Sequence, residues 1–427
     1  MWWGDKVAKN IQAIRGMNDI LPDVSPRWAA VESLLRHIVD QYGYKEIRLP
    51  LLESTELFKR TIGVATDVVE KEMYTFSDRS GDSLTLRPEG TAGCVRAGIE
   101  HGLFYNQVQR LFYFGSMFRY ERPQKGRYRQ FCQFGVEAYG LAGPDIDAEM
   151  MFLAARFWQE LKIADKLELQ INTLGNVATR ARYREQLVEY FNNNYAALDE
   201  DSQRRLLVNP LRILDSKNIA LQELIKNAPK IIDCLDLESQ THFDSLRKIL
   251  DKAQLPYVIN PCLVRGLDYY CLTVFEWVTQ ELGAQGAVCA GGHYDGLVAQ
   301  MGGKATPAIG FALGLERLIA LTLNSLTLLD LRTVYLVLLG DKVIAEGMLL
   351  AEKIRASGAI RVIVNCGGGN LGTQLKRANK SAAELALILG ETELASREVI
   401  VKDLRTDKPQ QTVKIDAIEE DFYANIR

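Results

Sequence analysis

Two stretches with strand-like patterns are separated by a short basic segment. Residues 111–118 are mostly apolar or aromatic, and residues 131–139 alternate between apolar and polar with a period of two. Alternation places successive side chains on opposite faces of a strand. One face of the second strand is therefore apolar, and the other carries Gln133 and Glu137 with Gly135 between them. The pattern predicts a hairpin with one face in the core and a polar face on which Gly135 leaves room for a ligand.

A second strand with a polar face is predicted over residues 83–91. Leu84 and Leu86 are expected to face a core, and Pro88 confines the stretch to a strand end or edge. The residues expected on the opposite face are Thr85, Arg87 and Glu89.

Helical and alternating patterns organise the rest of the chain. Apolar positions at helical spacing, with a proline near the start, predict a helix over residues 25–42, and a strand interrupted by a proline follows at 46–51. Residues 173–257 contain charged helical segments, such as 179–194 and 237–253, and are interpreted as an insertion. In the last part of the chain, alternating strand and helix patterns predict a small α/β domain. Its strands are predicted at 334–339, 361–365 and 385–389, and its helices at 342–357 and 371–380.

Composition and charge are those of a soluble globular protein of two or three domains. The chain has 427 residues, of which 47% are hydrophobic and 25% charged, and its net charge is −3. Any binding of nucleic acid must therefore come from local basic patches. No signal peptide or membrane-spanning run is evident, and neither the cysteines nor the histidines have metal-ligand spacing. We expect a reduced, cytoplasmic protein with no membrane contact and no metal site of its own.

The basic segment between the two strands is the first candidate for chemistry. Its five cations are Arg119, Arg122, Lys125, Arg127 and Arg129. The planar fork of arginine binds phosphate oxygens through two parallel hydrogen bonds. A solvated basic turn is the simpler alternative, but the polar face of the adjoining strand favours a phosphate site.

Several segments, in this order along the chain, resemble those of the histidyl-tRNA synthetase family of class II aminoacyl-tRNA synthetases. The helix and strand that end at Pro50 resemble class motif one, residues 118–137 resemble motif two, and residues 310–317 resemble motif three. The segments that resemble parts peculiar to the histidine family are residues 86–91, 263–270 and 291–296.

The resemblance implies an α/β fold with an α+β catalytic domain. Its parts would be an antiparallel class II sheet flanked by helices, a helical insertion and a C-terminal α/β anticodon-binding domain. The implied boundaries are 1–172 and 258–328 for the two parts of the catalytic domain, 173–257 for the insertion and 329–427 for the anticodon-binding domain.

The resemblance also implies a reaction and its substrates. The chain would activate L-histidine with ATP to histidyl-adenylate, transfer it to the 3′ end of tRNA(His), bind Mg²⁺ together with ATP, and act as a homodimer. Arg119 and Arg265 would be catalytic. The residues implied for histidine are Glu89, Gly90, Thr91, Arg119, Gln133, Glu137, Arg265, Tyr269, Tyr270 and Tyr294; those for ATP are Arg119, Arg127 and Arg317; those for the tRNA acceptor end are Gln124 and Arg129.

Three positions depart from the pattern of the family. Cys132 stands where the family commonly has histidine, His293 stands where it has arginine, and Cys271 lies in a segment that varies. Cys132 is expected on the core face of its strand, where a small hydrophobic residue fits. A histidine at residue 293 is not a permanent cation, so the resemblance implies no contact there that needs one.

Two other functions are compatible with parts of the sequence. A catalytically silent paralogue that regulates histidine biosynthesis would share the sheet but is expected to lose the Arg265 segment, the ATP-binding arginines or the C-terminal domain. Residues 367–372 fit the G-x-G-x-x-G pattern of dinucleotide-binding oxidoreductases, with Glu391 about twenty residues further on. That loop belongs to the second strand–helix turn of its domain, whereas the dinucleotide pattern belongs to the first.

Overall fold

The computed structural model describes residues 10–63, 66, 68–124, 126–283, 286–326 and 331–417. Two compact units are present, Met1–Thr327 and Leu328–Arg427. The domain boundary predicted at residues 328 and 329 falls in a stretch outside the described residues.

Helices of the first unit pack against the large sheet in two cores. They are α1 (Ser25–Gln41), α2 (Thr55–Ile62), α3 (Thr91–Glu100), α4 (Pro144–Glu160), α5 (Val177–Asn193), α6 (Glu200–Val208), α7 (Gln222–Lys226), α8 (Leu237–Lys252), α9 (Leu297–Gln300) and α10 (Leu315–Thr322). The helix predicted over residues 25–42 is α1, and those predicted over 179–194 and 237–253 are α5 and α8.

Strands of the first unit form a large sheet and a small one. They are β1 (Lys45–Glu46), β2 (Leu52–Ser54), β3 (Tyr74–Ser77), β4 (Ser83–Leu86), β5 (Gln109–Phe118), β6 (Gln130–Tyr139), β7 (Glu168–Thr173), β8 (Val258–Ile259), β9 (Cys271–Val278), β10 (Ala287–His293) and β11 (Ala308–Gly314). The large sheet has the order β1-β5-β6-β11-β10-β9-β7-β8 and is antiparallel except where β1 joins β5 and β7 joins β8; the small sheet has the order β2-β4-β3. The expected antiparallel sheet flanked by helices is confirmed.

The hairpin predicted from the alternating pattern is β5–β6, and its faces are as expected. Phe134 and Val136 of β6 are fully buried in a core that also contains α1, α4, α8 and α10. Large aromatic residues such as Trp158 and Phe157 fill the space between the helices and the sheet. Burying apolar surface here contributes about 25 cal/mol per Å² to stability. The opposite face of β6 is left to carry polar side chains.

The strand predicted over residues 46–51 is much shorter than expected. Only Lys45–Glu46 forms a strand beside β5, and the backbone N–H of Ile47 adds one hydrogen bond to the carbonyl of Phe112 at 2.8 Å. The backbone carbonyls of Leu49 and Pro50 instead accept hydrogen bonds from the Arg87 guanidinium, at 2.8 and 3.3 Å. Because a buried side chain donates hydrogen bonds to these carbonyls, the chain can leave the sheet without burying unpaired backbone oxygens.

The faces predicted for residues 83–91 are wrong. Leu84 and Leu86 are only partly buried, whereas Thr85 is fully buried. Its hydroxyl lies 2.9 Å from that of Thr55 and 3.0 Å from that of Thr75. A chain of hydroxyl groups satisfies the polar atoms inside the small sheet, so polarity did not mark the outer face of this strand.

The residues predicted as a helical insertion take part in two of the cores of the first unit. Phe243, Leu246 and Leu250 of α8 belong to the core under the large sheet. Tyr183 and Leu187 of α5 belong to a second core on the other side of the sheet. The boundaries 173 and 257 remain a prediction.

The second unit is a small α/β domain, as its alternating pattern predicted. Its strands are β12 (Arg332–Leu339), β13 (Ile360–Val364), β14 (Leu385–Gly390), β15 (Glu398–Asp403) and β16 (Gln411–Lys414), and its helices are α11 (Ile344–Arg355), α12 (Leu371–Lys380) and α13 (Glu391–Ser396). The sheet order is β13-β12-β14-β15-β16, with the first three strands parallel. None of the helices described in either unit combines the length and the apolar character needed to cross a membrane.

Candidate active site

A cavity of about 290 Å³ opens on the polar face of the large sheet. The sequence-predicted residues that line it are Glu89, Thr91, Arg119, Arg127, Gln133, Glu137, Arg265, Tyr269, Tyr270, Tyr294 and Arg317. These residues come from distant parts of the chain, and the fold brings them together around one space. Gly90, Gln124 and Arg129 are not part of its wall.

Glu137 lies at the bottom of the cavity and is the most enclosed of its charged groups. Its Oε1 accepts hydrogen bonds from the hydroxyls of Thr91 at 2.7 Å and Tyr113 at 3.2 Å, and its Oε2 accepts one from Tyr294. Burial nevertheless raises the pKa of Glu137 to about 8. When it is ionised, a carboxylate has about four acceptor positions, so in that form Glu137 has one position left for a ligand N–H beside its three donors.

Gly135 does not leave room for a ligand, contrary to the prediction from the sequence. It is the antiparallel partner of Tyr113 on β5, and a side chain at residue 135 would collide with the Tyr113 ring. The missing side chain makes space for this tyrosine, whose hydroxyl reaches Glu137. Tyr113 is thus a site residue that the sequence analysis missed; pairing β5 with β6 residue by residue would have indicated it.

Glu89 organises the start of α3 at the edge of the cavity. Its two oxygens accept hydrogen bonds from the backbone N–H groups of Thr91 at 2.6 Å and Ala92 at 2.8 Å. Burial raises the pKa of Glu89, and these two donors oppose the shift. Nearby, the buried Oε1 of Gln133 has no hydrogen-bond partner among the described residues, so a ligand with an N–H group would satisfy it.

Three arginines line the outer part of the cavity and are held by neighbouring groups. Arg119 donates from Nε to the carbonyl of Pro88 at 2.9 Å, and Arg317 donates to the carbonyl of Gly126 at 3.0 Å. Arg127 forms ion pairs with Glu121 and, at 3.9 Å, with Glu72. Several cations therefore face one space with fixed side chains, an arrangement suited to a polyphosphate.

Arg265 approaches the cavity from the opposite side. It forms an ion pair with Glu276 of β9, and its guanidinium lies 5.8 Å from the ring centre of Tyr270. Its buried Nε has no partner in the described part of the chain. Asp268, which lies close to Arg265 in the sequence, instead accepts a hydrogen bond from Asn209 Nδ2 at 2.8 Å.

The two residues predicted to contact the tRNA acceptor end lie in the basic loop outside the cavity. Gln124 is exposed and pairs with Arg127 through the backbone. Arg129 places its guanidinium 3.9 Å from the ring centre of Tyr120 and donates to the carbonyl of Glu121 at 3.2 Å. Lys125 lies outside the described residues.

Sequence reasoning also missed the acidic partners of the arginines. Glu121, Glu276 and Glu316 pair with or adjoin the cations of the site. Glu316 accepts a hydrogen bond from the backbone N–H of Cys132 at 2.8 Å, and burial raises the pKa of Glu316 to about 7. Glu276 lies on β9, only 11 residues after Arg265, but the sequence pattern did not show which way the loop of Arg265 turns relative to this strand.

Two histidines without shared spacing meet behind the cavity. His293 Nε2 lies 2.5 Å from one oxygen of Asp147, and His242 Nε2 lies 2.8 Å from the other. The nitrogen and oxygen atoms of this cluster all lie within 4.8 Å of one another, which is within the range of a metal site. The two short distances are those of hydrogen bonds to a shared carboxylate.

Comparison with family models covers nearly the whole chain. Residues 16–318 match the model described as histidyl-tRNA synthetase, and residues 333–423 match the model described as anticodon binding domain. The glycine-rich loop at 367–372 lies inside the second match, so the comparisons do not support the dinucleotide-binding alternative.

Solved structures with the same fold include a histidyl-tRNA synthetase from S. aureus. It is 36% identical, the similarity covers 97% of this chain and 100% of that one, and the TM-score is 0.80. A Nostoc histidyl-tRNA synthetase is 19% identical over 98% of this chain and 100% of its own, with a TM-score of 0.69. A Bacillus halodurans protein described as an ATP phosphoribosyltransferase regulatory subunit/histidyl-tRNA synthetase is 23% identical. The similarity covers 89% of this chain and 98% of that one, with a TM-score of 0.63. The last two show likeness of fold alone.

The buried carboxyl of Glu137 predicts a characteristic pH dependence of stability. Its pKa rises from 4.5 to about 8 on folding, so between these values the folded protein holds a proton that the unfolded chain has lost. Stability from this group is present below pH 4.5 and is lost as pH rises towards 8. In urea unfolding, the free energy of unfolding of Glu137→Gln should rise relative to that of the unaltered protein as the pH increases from about 5 to 8. The difference should grow by about 1.4 kcal/mol for each pH unit. A difference that is flat across this range would contradict the assigned pKa.

Proposed function

Because the chain belongs to the histidyl-tRNA synthetase family, we propose that it is an ATP-dependent histidine–tRNA ligase. The carboxylate of L-histidine attacks the α-phosphorus of ATP, which forms histidyl-adenylate and releases pyrophosphate. A terminal hydroxyl of tRNA(His) then takes the histidyl group and AMP leaves. The observation that carries the proposal is one cavity with an enclosed acid at its bottom and arginines at its mouth.

Amino-acid selection is assigned to the bottom of the cavity. A neutral imidazole has one N–H donor and one acceptor. Glu137 has one acceptor position left, and the Tyr270 hydroxyl supplies a donor for the other ring nitrogen. An imidazole N–H would favour the ionised form of Glu137, which its burial otherwise disfavours. Tyr269 and Tyr294 enclose the ring, and the free acceptor of Gln133, with Glu89 and Thr91, suits the α-ammonium group.

Activation is assigned to Arg119 and Arg265, which approach the cavity from different elements. Attack on the α-phosphorus brings a carboxylate towards a phosphate, and negative charge builds on the phosphate oxygens. Preorganised cations lower such a barrier because their position is fixed before the reaction begins. The unpartnered Nε of Arg265 offers a donor that no described protein group uses.

The polyphosphate of ATP is assigned to Arg127 and Arg317. Both face the outer part of the cavity near the basic loop. Mg²⁺ would enter with ATP, where it neutralises phosphate charge, and Glu121 and Glu316 are the carboxylates of this region that could hold it. In this structure Arg127 forms an ion pair with Glu121. When ATP binds with Mg²⁺, the phosphates would replace Glu121 as the partner of Arg127, and Mg²⁺ would replace Arg127 as the partner of Glu121.

Binding of tRNA is assigned to two separate surfaces. Gln124 and Arg129 in the basic loop would contact the acceptor end. In the second unit, Lys376, Arg377 and Lys380 are exposed on α12 and are candidates for phosphate contacts. The segment from α1 to Pro50, which resembles class motif one, is assigned to a homodimer interface.

A regulatory paralogue remains the main competing function. Such a protein is expected to lack the Arg265 segment, the arginines at the mouth of the cavity or the C-terminal domain. In this chain Arg265, Arg119 and Arg317 line the cavity, and a domain of the anticodon-binding type is present. These features favour the ligase.

The direct test of the proposal is histidine-dependent exchange of labelled pyrophosphate into ATP, followed by charging of total tRNA. We expect exchange with histidine and none with phenylalanine or leucine. Sites built to hydrogen-bond a substrate reject analogues without those groups by roughly 10⁴ or more. Histidine binding without exchange would instead support the regulatory paralogue.

Arg265→Ala should abolish most of the activation step while the fold is retained. The removed cation acts chiefly on the transition state, so kcat should fall by about 10² or more while the KM for histidine changes little. Pyrophosphate exchange measures both values, and a thermal melt checks the fold. The matched control is Arg182→Ala, which removes an exposed arginine of α5 outside the cavity. Exchange near the unaltered rate in Arg265→Ala would remove this residue from the mechanism.

A chain truncated near residue 328 should activate histidine but charge tRNA poorly. The first unit contains every residue of the cavity, whereas the cations of α12 lie in the second. Full-length charging should weaken as salt rises, because contacts to phosphate release counter-ions. The two activities are measured on both chains at matched concentration. Equal charging by the truncated chain would refute the role assigned to the second unit.

A further inference from the structure

His293 lies at the centre of a buried cluster that joins four parts of the first unit. Asp147 of α4 contacts its Nε2 at 2.5 Å, and Asp295 contacts its Nδ1 at 3.1 Å. His242 of α8 reaches the second oxygen of Asp147. Cys271 of β9 is the strand partner of His293. His293 and Asp147 are fully buried.

The charges in this cluster are consistent with a protonated His293. A carboxylate facing each ring nitrogen raises the pKa of His293 to about 10, although burial opposes the shift. The same contacts hold the pKa of Asp147 well below its usual range. Burial raises the pKa of Cys271 to about 12, so this neighbour stays neutral. An imidazolium at residue 293 thus places a positive charge between the carboxylates of Asp147 and Asp295.

The cluster is linked to the cavity by the residue that follows. Tyr294 donates its hydroxyl to Glu137, and its backbone N–H donates to the carbonyl of Ala308 at 2.8 Å. The carboxylate of Asp295 accepts two hydrogen bonds, one from His293 Nδ1 and one from the backbone N–H of Ala308 at 2.9 Å. Two contacts behind the wall therefore fix the segment that carries Tyr294. A shift of His293 would move the tyrosine hydroxyl away from Glu137.

We propose that His293, as an imidazolium tied to Asp147 and Asp295, is a positioning residue that holds Tyr294 against Glu137 and thereby sets the affinity for histidine. The inference rests on the proposed function for the identity of the ligand. It does not rest on catalysis, because the affinity is a property of the free enzyme and its amino acid.

Three variants separate positioning from packing. His293→Gln removes the charge and should weaken histidine binding by about tenfold, because small misplacements of a recognition group are costly. His293→Arg restores a cation and should recover most of the affinity. His242→Gln is the matched control, since His242 contacts the same carboxylate from α8 but not the segment of Tyr294; it should lower stability and leave histidine binding unchanged. ATP affinity should stay constant throughout.

Calorimetric titration with L-histidine and with ATP measures these affinities, and thermal melts measure stability. Equal losses of affinity in His293→Gln and His242→Gln, or unchanged affinity in a folded His293→Gln, would overturn the positioning role. Absence of pyrophosphate exchange in the unaltered protein would count against the proposed ligase only, because histidine binding is measured without turnover.

The protonation state can be checked without any substitution. The chain has four histidines, so ¹⁵N labelling of histidine gives few imidazole signals, and the His293→Arg spectrum assigns one of them. We expect His293 to remain an imidazolium at about pH 8.5, where an ordinary histidine is neutral. A neutral ring at pH 7, or stoichiometric zinc in the purified protein by elemental analysis, would overturn the proposal, since a metal-bound ring nitrogen carries no proton.

Discussion

The site is built around a carboxyl group that the large sheet keeps away from water. Burying Glu137 is unfavourable unless its oxygens are hydrogen-bonded, and three hydroxyl groups from three different elements meet this requirement. Much of the surrounding geometry follows from it. Gly135 makes space for Tyr113, and any side chain at Gly310 would collide with the Glu137 carboxyl. The acid, its donors and the two glycines therefore depend on one another.

The two faces of the large sheet have different roles, one in stability and the other in the candidate active site. One face of β6 packs into a core of aromatic and aliphatic side chains, while the other presents the cavity. The charges of the cavity are partly paired before any ligand enters: Arg127 with Glu121, and Arg265 with Glu276. These acids hold the cations in place and limit their mutual repulsion. A polyphosphate would compete for cations that are already positioned, which reduces the entropy lost on binding.

Local patterns predicted much of this structure, and distant contacts account for the rest. The β6 alternation predicted the correct core and polar faces. The helix and strand periods of the second unit predicted its first three strands and first two helices in order, but not α13, β15 or β16. The small sheet was misread because hydroxyl pairs such as Thr55 with Thr85 bury polar residues, which periodicity cannot show. The chain leaves the sheet after β1 where Arg87, 37 and 38 residues further on, contacts the carbonyls of Pro50 and Leu49. The pairing of His293 with Asp147, which are 146 residues apart, likewise requires the tertiary fold.

The most direct measurement compares L-histidine affinity in Glu137→Gln and the unaltered protein by titration calorimetry, with ATP affinity as the reference. The amide keeps the shape of the side chain but cannot become the anion that an imidazole N–H favours. Histidine binding should weaken by about 2–3 kcal/mol, the range for a hydrogen bond to a charged group, and ATP binding should change little. A large loss for ATP with none for histidine would contradict the assignment of Glu137 to the imidazole.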